Sequence, residues 1–194
     1  MRITLILTLT SLFSCTSSPE KEGPVKCLQS TEDQELNLHY SEFDSLFSFL
    51  APESWLTEFS LNSEASSVNS SDTSKELENT TTVSKSNYKY AAQDFSVFYQ
   101  TCYSFLMNDL GVDLLDSGCY SLDQTKIHWI KYYNPTDTFS KSNTCLELFY
   151  TEKSRIANFR IVVYGKERTE ERICAGYQVF LANKLNLLNN MAST

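Results

Sequence analysis

Two histidines, six cysteines and a scatter of acidic residues supply the side chains in this 194-residue sequence that are capable of chemistry. His39 stands near the start of the patterned part of the chain. His128 stands beside Trp129 in a run of branched and aromatic residues, where an imidazole is more often half-buried than reactive. A Cys–His hydrolase needs thiol and imidazole within hydrogen-bond reach and a third group to orient the ring, and the spacing places no cysteine with His128. No Gly-x-Ser-x-Gly elbow, phosphate-cradling glycine loop or His-Glu-x-x-His pair occurs. Asp109, Asp113, Asp116 and Asp123 lack the alternate spacing and closing glutamate of a calcium loop and read as solvated carboxylates. Glu147, within a strand, is the acid whose spatial partner matters, because paired-carboxylate chemistry depends on a separation in space. The sequence therefore assigns no catalytic residue, no cofactor and no metal ligand, and leans away from an enzyme.

The cysteines are Cys15, Cys27, Cys102, Cys119, Cys145 and Cys174. No Cys-x-x-Cys occurs, which disfavours a zinc ribbon or a thioredoxin-like pair. Disulfides are expected among Cys102, Cys119, Cys145 and Cys174, which lie in the patterned half, with Cys27 left over. Four cysteines allow three connectivities and the sequence does not choose among them. Each bridge is worth about 3 kcal/mol through restriction of the unfolded chain; the alternative is four separate buried thiols.

After Arg2 the chain is uncharged and mostly apolar to Phe13. As a helix that run rises only about 16 Å, half a hydrocarbon core of about 30 Å, so it is too short to span a bilayer. A short positive start, a short apolar run and small residues at its end are the pattern of an export signal. The end of the run, Leu12-Phe13-Ser14-Cys15, resembles the lipobox of bacterial lipoproteins. Leu12, Ser14 and Cys15 match that pattern, whereas Phe13 is bulky where a small residue is usual. The resemblance covers residues 1 to 15. It implies cleavage before Cys15, acylation of Cys15 and a membrane as partner through that anchor. In proteobacterial lipoproteins a residue other than Asp after the acylated cysteine, here Thr16, goes with the outer rather than the inner membrane. Ordinary signal cleavage, giving a secreted protein, is the alternative.

Hydrophobic residues make up 41% of the chain, with only 5 Gly and 4 Pro, so collagen-like and wholly disordered classes are excluded. The net charge of −8 repels phosphate backbones, and no basic patch invites nucleic acid. Residues 1–14 are expected as signal peptide, 15–36 as a flexible tether carrying Pro19, Gly23 and Pro24, and 37–190 as one α+β domain. Of the 27 residues from Ser60 to Ser86, 16 are Ser, Thr or Asn. That composition predicts a disordered loop over 60–86. Asn69-Ser70-Ser71 and Asn79-Thr80-Thr81 match glycosylation sequons, which matter in a eukaryotic host.

Ser41 with Asp44, followed by Phe43, Leu46, Phe47 and Leu50, predicts a short helix, and Trp55, Leu56 and Phe59 a second. Tyr88, Ala91, Ala92, Phe95, Phe98, Tyr99, Cys102, Phe105, Leu106 and Leu110 predict one long amphipathic helix capped by Gly111. Strands are expected at 112–116, 119–122, 126–133, 145–151 and 155–164, joined tightly enough to be antiparallel. Ile173 to Leu188 fits a helix begun at Thr169, and its alternation also fits a strand. The expected architecture is thus a long amphipathic helix on a four- to five-stranded antiparallel meander, with short N-terminal helices and a C-terminal helix. The expected role is a lipid-anchored extracytoplasmic protein that binds an unidentified protein or small molecule, or is structural. An exported enzyme using His128 or Glu147, and a secreted glycosylated effector, are the alternatives.

Overall fold

The computed structural model describes residues 23–25, 27, 35–40, 48–76, 79–135 and 141–192. Nine antiparallel strands and two helices follow one another as β1 (Leu36–Tyr40), β2 (Ser48–Pro52), β3 (Leu56–Leu61), β4 (Ala65–Ser71), β5 (Thr81–Ala91), α1 (Phe95–Ser104), β6 (Asp113–Leu122), β7 (Thr125–Asn134), β8 (Asn143–Glu152), β9 (Arg155–Tyr164) and α2 (Thr169–Ala192). Strands β1 and β2 form a hairpin, and the other seven form one sheet in the order β3-β4-β5-β9-β8-β7-β6.

This corrects the expected architecture of a long helix on four or five strands. The short N-terminal helices are absent among the described residues: Leu50 lies in β2, and Leu56 and Phe59 lie in β3. Ser41, Phe43, Asp44, Leu46 and Phe47 fall outside the described residues. The expected loop over 60–86 contains β4 and much of β5. Composition misled here because hydroxyls can pair across strands. Thr57 and Ser70 are 2.9 Å apart, Ser67 and Ser86 3.0 Å, and Ser71 and Thr82 3.0 Å. Such cross-strand pairs support a ladder that contributes few apolar side chains of its own; Val68 and Val83 supply the buried ones.

The long helix is also shorter than its periodicity. Tyr88 and Tyr90 belong to β5, and α1 starts at Phe95 after a single 3-10 turn over Ala92–Asp94. Tyr88 is spaced from Ala91, Ala92 and Phe95 as on one side of a helix, and from Tyr90 as on one face of a strand, so its position alone did not mark where β5 ended. The two strands expected at 112–116 and 119–122 are one strand, β6. Gly118 sits opposite Trp129, where an added Cβ would lie 3.1 Å from the indole. That glycine makes room for a ring and does not mark a turn.

Strands β8 and β9 bury alternate residues on both faces. On the first face Leu146, Leu148 and Tyr150 of β8, with Ala157, Phe159, Ile161 and Val163 of β9, join Ile173, Tyr177 and Phe180 of α2 and Phe49 and Ala51 of β2 in the larger core. Phe159 lies 5.3 Å from Phe180 and 6.0 Å from Phe49, ring to ring. On the second face Cys145, Phe149 and Val162 meet Leu106, with Phe98, Tyr99 and Cys102 of α1 packed alongside. Two sequence-distant clips lock the first layer. Asn183 of α2 bonds both the N–H and the C=O of Leu50, each at 2.9 Å, and Arg172 donates to the carbonyl of Thr80 at 2.6 Å and to Thr81 Oγ1 at 3.2 Å.

Cysteine pairing differs from the expected framework of Cys102, Cys119, Cys145 and Cys174. Cys174 bonds Cys27, at a sequence separation of 147. Cys119 is also disulfide-bonded, and Cys102 and Cys145 are free thiols. Val25, Cys27 and Leu36 pack against the larger core, so these parts of the expected tether are docked on the domain. The signal peptide expected at 1–14 and the acylated Cys15 fall outside the described residues.

Gly176 tests the closeness of α2 to the sheet. A Cβ there would lie 2.6 Å from Ile161 Cγ2 and 3.3 Å from Val83 Cγ1. Gly176→Ala is expected to lower stability by about 1–3 kcal/mol through overpacking, despite alanine's better helix propensity, read as the midpoint of urea unfolding.

Candidate functional site

Helix α1 covers the second face over β7 and β8 and leaves it open over β3, β4 and β5. Register places polar residues side by side across the open part. Glu58 stands opposite Asn69, Asn69 opposite Ser84, Ser84 opposite Arg160, and Arg160 opposite Glu147. The next row runs Ser60, Ser67, Ser86 and Asn158. Three strand spacings separate β3 from β9, so this polar floor is about 15 Å wide. Tyr88 and Tyr90, packed on Phe98 at 4.7 and 5.8 Å, form an aromatic wall beside it.

At the inner end of the floor lies a cluster built from three strands. Tyr132 of β7 donates to Glu147 Oε1 at 2.7 Å, Asn158 of β9 donates to Oε2 at 3.2 Å, and Arg160 Nε approaches Oε1 at 3.4 Å. The Arg160 Nη2 group reaches Tyr132 Oη at 3.3 Å and Cys145 Sγ at 3.7 Å. Cys145 in turn donates to Asn143 Oδ1 at 3.1 Å. The arginine side chain keeps 40% of its surface exposed while the glutamate keeps 12%. Glu147 is thus the buried orienting group, and Arg160 is the group offered to solvent.

Burial opposes the charge on Arg160, but Cys145, Glu147 and Tyr132 around it outweigh that cost and hold its pKa above the ordinary value. Burial, reinforced by Glu147, keeps the Tyr132 hydroxyl protonated as a donor. Burial likewise raises both free thiols. Cys102 is pushed up to about 11, with Glu147 adding to the effect, and burial dominates at Cys145 even with Arg160 beside it. Thiols in this state are protonated and poorly nucleophilic at neutral pH. The arrangement can hold a polar ligand through guanidinium, amide and hydroxyl groups.

The two residues singled out in the sequence for an enzyme lie in adjacent rows of this face. Glu147 faces Arg160, whereas His128 faces Phe149 and lies 5.2 Å from the Phe95 ring and 5.0 Å from the Tyr99 ring. That aromatic setting desolvates the imidazole, and with Lys126 it lowers its pKa below 6.5. His39 lines a cleft of about 630 Å³ at the β3 edge with Tyr40, Thr57 to Ser60 and Asn69, and its Nε2 is buried without a hydrogen-bond partner. Among the described residues no group of His, Cys, Asp or Glu is placed to hold a metal ion. Arg160 was missed as a site residue, although the alternation of β9 had already put it opposite Ala157, Phe159 and Ile161.

A second buried ion pair lies on the first face. Lys85 is 2% exposed and bonds Glu152 at 2.8 Å, while Lys184 of α2 stacks its ammonium 4.4 Å above the Tyr150 ring. Burial lowers the pKa of Lys184. This group ties α2 to the sheet and faces away from the open floor.

No family model matches the chain, and no curated protein matches it. Solved structures do. The solution structure of cyanobacterial PsbP (CyanoP) from Synechocystis sp. PCC 6803 superposes with a TM-score of 0.50 at 14% identity, covering 81% of this chain and 96% of that one. PA94, a protein of unknown function from Pseudomonas aeruginosa, gives 0.43 at 10% identity, covering 66% of this chain and 83% of that one. The chain therefore has a PsbP-like fold.

Two outcomes follow from the site. Glu147→Leu leaves Arg160 without its counter-charge and is expected to cost about 2 kcal/mol, less than the 3–5 for a fully buried pair because the arginine is partly solvated, read by urea unfolding. His128 has a lower pKa folded than unfolded, so its protonation favours the unfolded chain. Stability is expected to fall as pH drops below about 6.5 toward the native value, with a shallower slope in His128→Phe across the same urea titrations.

Proposed function

We propose that this protein is a lipid-anchored, extracytoplasmic binding protein that holds a polar ligand on the open floor ending at Arg160. The anchor rests on Leu12, Ser14 and Cys15. The extracytoplasmic setting is supported by the Cys27–Cys174 bridge, since disulfides persist in oxidising compartments. No helix among the described residues is long and apolar enough to cross a membrane; the proposed attachment is through an acylated Cys15. With Cys15 twelve positions before Cys27, the chain between them extends at most about 40 Å, which holds the domain close to the bilayer. Thr16 favours the outer membrane.

The observation that carries the binding role is the row Glu58, Asn69, Ser84, Arg160 on a sheet face that no helix covers among the described residues. Helix α1 is long enough to seal only β7 and β8. A sheet face kept open, polar and bordered by rings offers hydrogen bonds and a stacking wall together.

Metabolic labelling with radioactive palmitate tests the anchor. The wild type is expected to take up label and remain with membranes, and Cys15→Ala to lose both. Equal labelling of the two overturns it. With Cys27 and Cys174 bridged and Cys102 and Cys145 free, Cys15 is the one cysteine of this chain left to pair with Cys119; acylation and that pairing exclude each other, so an N-terminal peptide recovered joined to Cys119 overturns the anchor.

A further inference from the structure

We propose that the outer surface of α1 and the start of β6 dock a basic amphipathic helix of a partner protein. From Tyr90 to Thr125 the chain has five aspartates and no lysine, arginine or histidine, and so holds five of the eight net negative charges. The same segment exposes large apolar side chains: Val97 is 71% exposed, Phe105 50%, Leu110 47%, Leu114 41% and Leu115 53%.

They lie along one continuous stretch of chain that runs from α1 into the terminal strand β6. Val97, Thr101 and Phe105 follow at fourfold spacing along the side of α1 turned away from Phe98, Cys102 and Leu106, which pack on the sheet. The helix closes in a π turn in which the Leu110 N–H reaches the Phe105 carbonyl at 3.2 Å, setting Leu110 beside Phe105. Gly111, with φ of 59°, then turns the chain into β6. The register slips between Leu114 and Asp116, so Leu115 is the extra residue of a bulge on the terminal strand of the sheet, and Asp113 to Asp116 are exposed without alternation.

The solvated side of α1 carries Ser96, Gln100, Thr101 and Ser104, as is usual for an exposed helix side. Val97 and Phe105 interrupt it, and the exposed apolar groups are flanked in sequence by the exposed carboxylates of Asp94, Asp113 and Asp116. An apolar stripe on a partner would cover the Val97-to-Leu115 surface, and lysines or arginines beside that stripe would face the aspartates, completing core and rim. An anionic lipid surface would be repelled by the same carboxylates. A second copy of this chain would bring acid against acid. None of these side chains belongs to the Arg160 floor, so the surface stands independently of the proposed ligand.

The probe is an 18-residue peptide of leucine and lysine with one apolar helical face, measured against the intact domain by isothermal titration, with a scrambled peptide of equal composition beside it. The helical peptide is expected to bind and the scrambled one to bind at least about tenfold more weakly. Phe105→Ser with Leu115→Ser, and separately Asp113→Lys with Asp116→Lys, are each expected to weaken binding about tenfold. Raising salt from about 50 to about 300 mM weakens it further. All four side chains are exposed, so unchanged thermal unfolding confirms that each variant is folded. Equal binding of both peptides, or equal binding by wild type and both variants, overturns the proposal. So does association with phosphatidylglycerol vesicles that Phe105→Ser abolishes, or a dimer in sedimentation that the same change dissolves.

Discussion

Strands β8 and β9 carry apolar side chains on both faces, and that double burial fixes how the rest of the chain is used. One face is sealed by α2 together with the β1–β2 hairpin, around Phe49, Phe159 and Phe180. Among the described residues α1 is the helix that covers the other, and its ten residues span about 15 Å, enough for the β7–β8 end of a seven-stranded sheet. The uncovered remainder must be hydrophilic to face water, and in β3, β4 and β5 it is. The polar floor is therefore a geometric result of a wide sheet with one long and one short cover.

The boundary between covered and open halves is where the ion pair sits. Glu147 is on the sheltered side with both oxygens occupied, and Arg160 is on the solvent side with part of its guanidinium available. Removing water from one partner and leaving it on the other holds the arginine in a fixed orientation while it still meets solvent. Cys145 fills the same corner as an inert thiol, which shows how position and not residue type decides whether a cysteine is reactive.

Sequence legibility followed apolar density. The β8–β9 hairpin could be read directly, because β9 alternates with Ala157, Phe159, Ile161 and Val163 on one side, β8 is a run of apolar and aromatic residues, and only a tight turn separates them. The helix from Thr169 could be read from its length and the acids in its first turn. Strands β4 and β5 could not, since their stability is borrowed: Ser67, Ser71, Thr82 and Ser86 pair with one another, and the apolar surface they need is supplied by neighbours far along the chain. The start of α1 was obscured by Tyr88, which stands three, four and seven residues before Ala91, Ala92 and Phe95 as in a helix although it lies in β5. The Cys27–Cys174 bridge joins positions 147 apart, a distance over which no local pattern carries information. Arg160 was visible as a polar residue on the far face of β9, but the floor around it existed only once β5 had been placed beside that strand.

The bridge from Cys27 to α2 also determines how the domain would carry a mechanical load. A pull on the chain ahead of Cys27 passes through the sulfurs into the longest helix, which is clamped to the sheet by Phe180 and Arg172. The β1–β2 hairpin lies within the covalent loop and off that route, so its hydrogen bonds are not the ones that bear the tension. A leash attached in this way can be tugged without unzipping the first strands of the fold.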